Sequence, residues 1–549
     1  MTRSTTSTST TDDDATTGPV DAAGDGYDLV VVANRLAVDA VEGPDGETEW
    51  RRSPGGLVTA LAPIMQSVEG AWIGWTGATA EDEETPAPFD AVGMHLVPVP
   101  LRATEVERYY EGMANGTLWP LYHDVIVQPE FHREWWDAYR RVNQRFADAA
   151  VETVAEGGTV WVHDYQLQLV PSLIRTRRPD VRIGFFNHIP FPPVEIFTQL
   201  PWRRQVVDGL LGADVVGFQR ESDAGNFLRA VRRLTDHPTR GDQVRVRPSS
   251  LLPEERSVRA RAFPISIDSE GFAEKAARPE VRERARAIRK ELGDPRTVLL
   301  GVDRLDYTKG ILHRIKAYGE LVRDGLLKAD ETVLVQVASP SRERVEQYKV
   351  LRDEVEVAVA RINGDHGDIG SAPISYLHQS FPPEEMAAMF LAADVALVTS
   401  LRDGMNLVAK EYIAAREDLG GALVLSEFTG AADELPQAFM VNPHDIDGLK
   451  AAIVQATHLN AQEGRRRMRS MRRRVMTHDV QRWADDFLGY LAQAHPRGLA
   501  EGSGHGNGSA HAEGSGHTSD DAGHAPDDDG HAPDDDGPAT GAASTQEDR

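Results

Sequence analysis

Residues 297–310 read Thr-Val-Leu-Leu-Gly-Val-Asp-Arg-Leu-Asp-Tyr-Thr-Lys-Gly. The run 297–302 is continuously apolar, the pattern of a parallel strand covered on both faces. Arg304 and Lys309 follow it at the entrance to a helix. Free backbone N–H groups and the positive end of a helix dipole already favour an anion there, and a guanidinium plus an ammonium strengthen the site. Taken alone, the segment also fits a surface loop with solvated charges.

The same strand signature recurs at 29–33, 159–163, 182–186, 213–218, 332–337, 394–398 and 422–425, separated by longer amphipathic stretches. Continuous apolar runs alternating with helical patterns indicate an α/β, doubly wound architecture, built twice. The seam is expected after Ala-Phe-Pro-Ile-Ser-Ile-Asp at 262–268, where a charged helical stretch begins. The expected organisation is an N-terminal tail over 1–26, a first domain over 27–268 and a second over 269–478. A helix over 479–496 and a tail over 497–549 complete it. Ligands of open α/β sheets bind beyond the carboxyl ends of the strands, so two such sheets define a cleft.

Composition narrows the chemistry. The 549-residue chain is 40% hydrophobic and contains no cysteine, which excludes disulfides, thiolate catalysis and cysteine-ligated metals. No run approaches the ~18 apolar residues of a membrane span, and the first 26 residues have no apolar signal region. A cytoplasmic protein with no membrane partner is expected. Net charge is −27, of which the two tails carry −4 and −10, so the body itself stays acidic at −13. That balance argues against nucleic acid as a partner. The C-terminal tail repeats His-Ala-Pro-Asp-Asp-Asp-Gly at 524–530 and 531–537 and is expected to be disordered. The Arg-rich segment 465–474 reads as a helix with Met468 and Met471 on a buried stripe rather than as a nucleic-acid patch. Trp483, Phe487, Leu488 and Leu491 share one face of a following packing helix.

Several strand ends carry polar groups. Arg35 closes the first strand, and Gly55-Gly56 can bring backbone N–H groups close to a ligand. Asp164 follows the strand 159–163, in position to bind sugar hydroxyls, and His188 sits in the rigid turn His-Ile-Pro-Phe-Pro at 188–192. The string 401–411, Leu-Arg-Asp-Gly-Met-Asn-Leu-Val-Ala-Lys-Glu, joins a strand to a helix through Gly404. Its helix N-terminus, near Asn406 to Ala409, can hold a diphosphate and Glu411 a ribose diol, with Arg304 and Lys309 neutralising the phosphate. No metal is then required. Asp445-Ile-Asp447 reads as a helix N-cap, not a metal site.

The strings Asn34-Arg35-Leu36, Gly55-Gly56, Leu118-Trp119-Pro120, His163-Asp164-Tyr165, 188–192, 302–310, 400–411 and Ser-Glu-Phe-Thr-Gly-Ala at 426–431 together resemble the trehalose-6-phosphate synthases, retaining glycosyltransferase family 20. The resemblance runs in matching order over residues 27–491. It implies a GT-B fold, two Rossmann-like domains facing across a cleft, with the last helix crossing back to the first. It implies transfer of glucose from a nucleoside-diphosphate glucose, UDP-glucose first among them, to glucose 6-phosphate. Arg35, Tyr110, Trp119, Asp164 and Arg342 then match acceptor positions. Gly55, Gly56, Arg304, Lys309, Asp403, Gly404, Met405, Asn406, Leu407, Val408 and Glu411 match donor positions, with Asp164, His188, Arg304 and Lys309 as the catalytic set. No cofactor is implied, a homo-oligomer is compatible, and a separate phosphatase is expected to process the product. Ala37, Gln166 and Asn187 depart from the family pattern without touching the charged set. A synthase using another phosphorylated acceptor, such as glucosylglycerol-phosphate synthase, and an inactive sugar-phosphate sensor are the alternatives.

Overall fold

A computed structural model describes residues 26–494 except 43–47, 54–56, 59–60, 62–63, 66–69, 82–85, 250–253 and 343. The expectations for Gly55, Gly56 and the tandem repeat at 524–537 lie outside the described residues.

Strands in chain order are β1 (Tyr27–Arg35), β2 (Val38–Glu42), β3 (Thr48–Arg52), β4 (Ala71–Trp75), β5 (Phe89–Ala91) and β6 (Met94–Pro98). They continue as β7 (Val154–His163), β8 (Arg182–Phe186), β9 (Val215–Phe218), β10 (Thr239–Arg240), β11 (Gln243–Val246) and β12 (Arg256–Ala262). The last six are β13 (Thr297–Arg304), β14 (Thr332–Ser339), β15 (Ile374–Leu377), β16 (Val395–Val398), β17 (Ala422–Ser426) and β18 (Phe439–Val441). A ten-stranded sheet has the order β10-β11-β12-β9-β8-β7-β1-β4-β6-β5, and a six-stranded sheet the order β15-β14-β13-β16-β17-β18. The smaller sheet is parallel throughout, and β12 to β6 of the larger one are parallel as well.

Strand order reverses at one place in each sheet, between β1 and β7 and between β13 and β16. The crossovers leave these strand ends in opposite directions, so each reversal opens a crevice at the carboxyl edge of its sheet. Arg35 and Asp164 stand at the first crevice, and Arg304 and the loop after Val398 at the second.

All eight apolar runs of the sequence fall on strands, but β4, which pairs with β1 in the larger sheet, is not among them. Its sequence, Ala-Trp-Ile-Gly-Trp, is interrupted by Gly74, which weakens a strand signal. A Cβ at Gly74 would lie 2.4 Å from the backbone of Arg35, so the close pairing of β4 with β1 needs that glycine. A 13-residue π-helical segment, Val106–Leu118, also lacks a recognisable sequence signal; it carries Tyr109 and Tyr110 toward the β1 end and leads directly into Trp119.

The chain passes between the sheets twice. Asp268 caps the helix Ser269–Ala277 by accepting the Gly271 N–H at 2.9 Å. Near the end, the helix Ala461–Thr477 buries Met468 and Met471, and its basic face pairs with Glu434 and Glu463. The helix Val480–Ala494 then lies on the larger sheet. Phe487 stacks on Trp161 at 4.7 Å, and Trp483 meets Phe186 edge-on at 5.0 Å. Asp445 accepts the Gly448 N–H at 2.9 Å, the capping role read from its sequence. No described helix is long and apolar enough to cross a membrane.

Candidate active site

The two crevices face each other, and side chains from both meet between them. From the smaller sheet, Lys309 Nζ lies 2.6 Å from Asp403 Oδ2, with only 12% and 13% of the two side chains exposed. Ser400 and Asn406 donate to the same carboxylate oxygen at 3.2 Å. Burial alone would raise the Asp403 pKa, but Lys309 chiefly, with His123 and Asn406, holds it below the usual carboxylate range. Arg304, at the end of β13, remains exposed, its guanidinium 5.4 Å from the centre of the Trp119 ring across the cleft. Beneath this layer the fully buried Arg314 bonds Asp303 and Gln336 at 2.8 Å and Thr399 at 3.1 Å, tying the helix Ile311–Arg323 to the loop after β16.

The helix Leu407–Ala415 begins where the sequence placed it. Asn406, with φ 75°, caps it by accepting the Ala409 N–H at 3.2 Å. Leu407 and Val408 form the first turn and Glu411 the next. Burial raises the Glu411 carboxyl to about 7, opposed by the positive charge of Lys275. A carboxylate in this state gains from any hydroxyl that donates to it.

On the other wall, Asp164 is held at φ 75° and ψ 169°, a backbone region that is nearly glycine-only. Its Oδ1 accepts the backbone N–H of His188 at 3.1 Å. Burial lifts its pKa to about 6 against the pull of backbone N–H groups, Arg342 and Arg304. Gly404 presses on this wall from the opposite side: a Cβ there would lie 2.2 Å from the carbonyl oxygen of His188. The Asp403–Met405 loop and the His188 turn therefore touch backbone to backbone, and any larger residue at 404 would part them.

The residues expected at the acceptor fall into two groups. Arg35 lies 5.1 Å over Trp75, which meets Tyr110 edge-on at 5.8 Å, and pairs with Asp39 at 2.9 Å. Arg342 stacks on Trp119 at 3.7 Å and is 6% exposed. It bonds Asp306 at 3.1 Å, Tyr165 at 3.3 Å, and Tyr348. Arg342 also has φ 50°, so the third strained backbone at this site belongs to it.

Asp306, Tyr165 and Tyr348, which hold Arg342, were missed by sequence reasoning. Asp306 is fully buried; burial would raise its pKa, but Arg342, Arg304 and Lys309 hold it down at about 2. It lies within 297–310, and an acid two residues after Arg304 and three before Lys309 was the available signal. Arg402 was missed as well: it reaches across to Asp124 at 3.2 Å and to the buried Asp223 at 3.4 Å. Among the described residues, no group of three or more His, Asp or Glu side chains is arranged to hold a metal ion.

The family model for glycosyltransferase family 20 matches residues 27–493. The chain belongs to glycosyltransferase family 20. Within that family it is 58% identical to the trehalose-6-phosphate synthase of Mycobacterium avium over 475 residues, covering 86% of this chain and 96% of the relative. It is 56% identical over 478 residues to the protein of the same name from Mycobacterium tuberculosis, covering 86% of this chain and 96% of the relative. A solved E. coli trehalose-6-phosphate structure bound with UDP-2-fluoro glucose superposes with a TM-score of 0.76 at 34% identity, covering 85% of this chain and 99% of that one. The α,α-trehalose-phosphate synthase (UDP-forming) from Burkholderia xenovorans, in complex with glucose-6-phosphate, does so with a TM-score of 0.77 at 32% identity, covering 84% and 99%. The family 20 chain thus has the GT-B fold, with its two sheets on opposite walls of the cleft.

Proposed function

We propose that this family 20 chain transfers glucose from a nucleoside-diphosphate glucose, UDP-glucose first among them, to glucose 6-phosphate, with retention, forming α,α-trehalose 6-phosphate. The observation that carries the reading is the opposition of Lys309 and Arg304 on one wall to Asp164 and His188 on the other. Cations that can hold a departing diphosphate face groups that can hold a sugar.

The donor diphosphate lies against Arg304, Lys309 and the first turn of the helix Leu407–Ala415, with Glu411 on the ribose. The ion pair with Asp403 keeps Lys309 extended toward this position before substrate arrives. Asp164 and His188 hold the glucose. The second wall holds glucose 6-phosphate through Arg35, Tyr110 and Trp119, and Arg342 reaches it from the smaller-sheet half, braced there by Asp306 and Tyr348. Since no carboxylate stands out as a nucleophile, reaction on the face of the leaving group fits best. The bond from the anomeric carbon to the phosphate oxygen breaks, and the acceptor hydroxyl oxygen bonds to the same face. Its proton passes to the departing phosphate, whose growing charge Arg304 and Lys309 stabilise. The larger-sheet half is then the acceptor domain and the smaller-sheet half the nucleotide-sugar domain.

The test is a matrix of UDP-, ADP- and GDP-glucose against glucose 6-phosphate, glycerol 3-phosphate and glucose. Turnover confined to glucose 6-phosphate supports the reading; preference for glycerol 3-phosphate replaces it with the glucosylglycerol-phosphate alternative.

A further inference from the structure

His163 ends β7 and His188 follows β8, and these strands are neighbours in the larger sheet. Their register sets His163 beside Phe186, and the following turn brings the two imidazoles together. Nδ1 of His163 lies 3.0 Å from Nε2 of His188, with ring centroids 5.3 Å apart and planes 29° from parallel. Trp161, Phe186 and Trp483 surround the pair, the last reaching in from the helix Val480–Ala494. Burial lowers both ring pKa values, that of His188 to about 3, so each ring is neutral and carries one N–H.

Two proton arrangements satisfy a hydrogen bond between these nitrogens. In the first, His163 Nδ1–H donates to His188 Nε2; His163 Nε2 is then a bare lone pair, and the His188 proton sits on Nδ1. In the second, His188 Nε2–H donates, and His163 carries its proton on Nε2. That nitrogen is buried and has no hydrogen-bond partner among the described residues. The neighbouring indole N–H groups of Trp161 and Trp483 are buried without partners too. Orphaned buried N–H groups are rarer than under-satisfied acceptors, so a third one beside two others is disfavoured. The first arrangement therefore prevails.

We infer that His163 is a positioning residue that fixes His188 in its Nδ1–H tautomer, so that His188 offers the donor sugar a hydrogen-bond donor rather than an acceptor. The inference takes the ligand's identity from the glucosyl-transfer reading. Adjacent residues secure different parts of His188: Asp164 holds its backbone and His163 holds its ring. An ionised Asp164, which only accepts, and a His188 that only donates then present a fixed polarity to sugar hydroxyls.

The test uses the full chain labelled with 15N-histidine, the His188 signals being assigned by their loss in His188→Gln. Two-bond 15N–1H spectra are expected to show His188 protonated at Nδ1. His163→Phe keeps the ring and removes its nitrogens; the tautomer preference is expected to disappear. There kcat/KM for the nucleotide-glucose should fall ~10-fold, the loss of one oriented hydrogen bond, while KM for glucose 6-phosphate holds. His163→Asn, whose amide N–H can stand in for Nδ1–H, is expected to recover most of that loss. An Nε2–H tautomer at His188 in the unmodified chain overturns the inference without any variant. So does an unchanged tautomer in His163→Phe, or equal losses in Phe and Asn variants with unshifted melting temperatures. An unmodified chain that turns over no nucleotide-glucose defeats the transfer reading instead, while the tautomer measurement still stands.

Discussion

Lys309 and Arg304 carry the same charge in different settings. Lys309 is locked to Asp403, whereas Arg304 projects over Trp119 with no ion-pair partner among the described residues. Each supplies preorganised charge where the leaving phosphate develops its own, and a single such contact is worth ~100-fold in kcat. Arg304→Ala and Lys309→Ala are each expected to lose at least that, measured by steady-state turnover; the melting temperature should hold in Arg304→Ala and fall in Lys309→Ala, which leaves the buried Asp403 carboxylate without its partner. Glu411 sets a second expectation at this scale. Its folded pKa of about 7 lies above the ordinary glutamate value of 4.5, so the stability linked to its neutral form is present below that value and lost as pH rises through 7. Glu411→Gln should therefore stabilise the ligand-free protein at pH 8, by about 2–3 kcal/mol, and change little at pH 4. In the unmodified chain the donor KM should fall as pH rises through 7, because the ionised carboxylate accepts better from a ribose diol; in Glu411→Gln that dependence should be absent.

At the scale of elements, strain and close approach mark the loops that build the site. Asp164, Arg342 and Asn406 all hold positive φ, and each lies where a strand gives way to a site loop or helix. Gly404 permits the contact with the His188 carbonyl, and a Cβ at 2.2 Å from a backbone oxygen cannot be accommodated by side-chain movement. Gly404→Ala is expected to fold and yet lose ~100-fold in turnover, as an ångström-scale displacement of reacting groups does. Circular dichroism and steady-state assays on the same preparation check this. These elements also show what was legible beforehand. The strand runs and the charged motifs after them were readable because apolar continuity and charge are local properties of sequence. The bracing of Arg342 by Asp306, Tyr165 and Tyr348 was not, because Tyr165 comes from a different half of the chain and meets it only in the fold. β4 and the π-helical segment before Trp119 were hidden by glycines at 74, 112 and 116, which read as breaks. In the structure Trp135 packs over Gly112 and Gly116, so the absent side chains are what lets the segment seat.

Across the whole molecule, the cleft is held by ion pairs joining its walls. Arg402 reaches Asp124 and Asp223, and Arg220 grips Asp433 through two bonds at 2.8 and 2.7 Å. The helix Val480–Ala494, the last of the described residues, packs on the larger sheet through Trp483 and Phe487. Nothing in the proposed chemistry draws on residues beyond it. Removal of residues 497–549, with their charge of −10, is expected to leave kcat and both KM values unchanged. The proposed chemistry stands or falls on one cleft placing a nucleotide-bound glucose and glucose 6-phosphate for same-face transfer. The decisive experiment is to incubate the full chain with UDP-glucose and glucose 6-phosphate and read the product's anomeric signals by NMR. A non-reducing disaccharide phosphate with both anomeric centres α is expected; a β linkage from the donor glucose, or release of free glucose alone, would overturn same-face transfer.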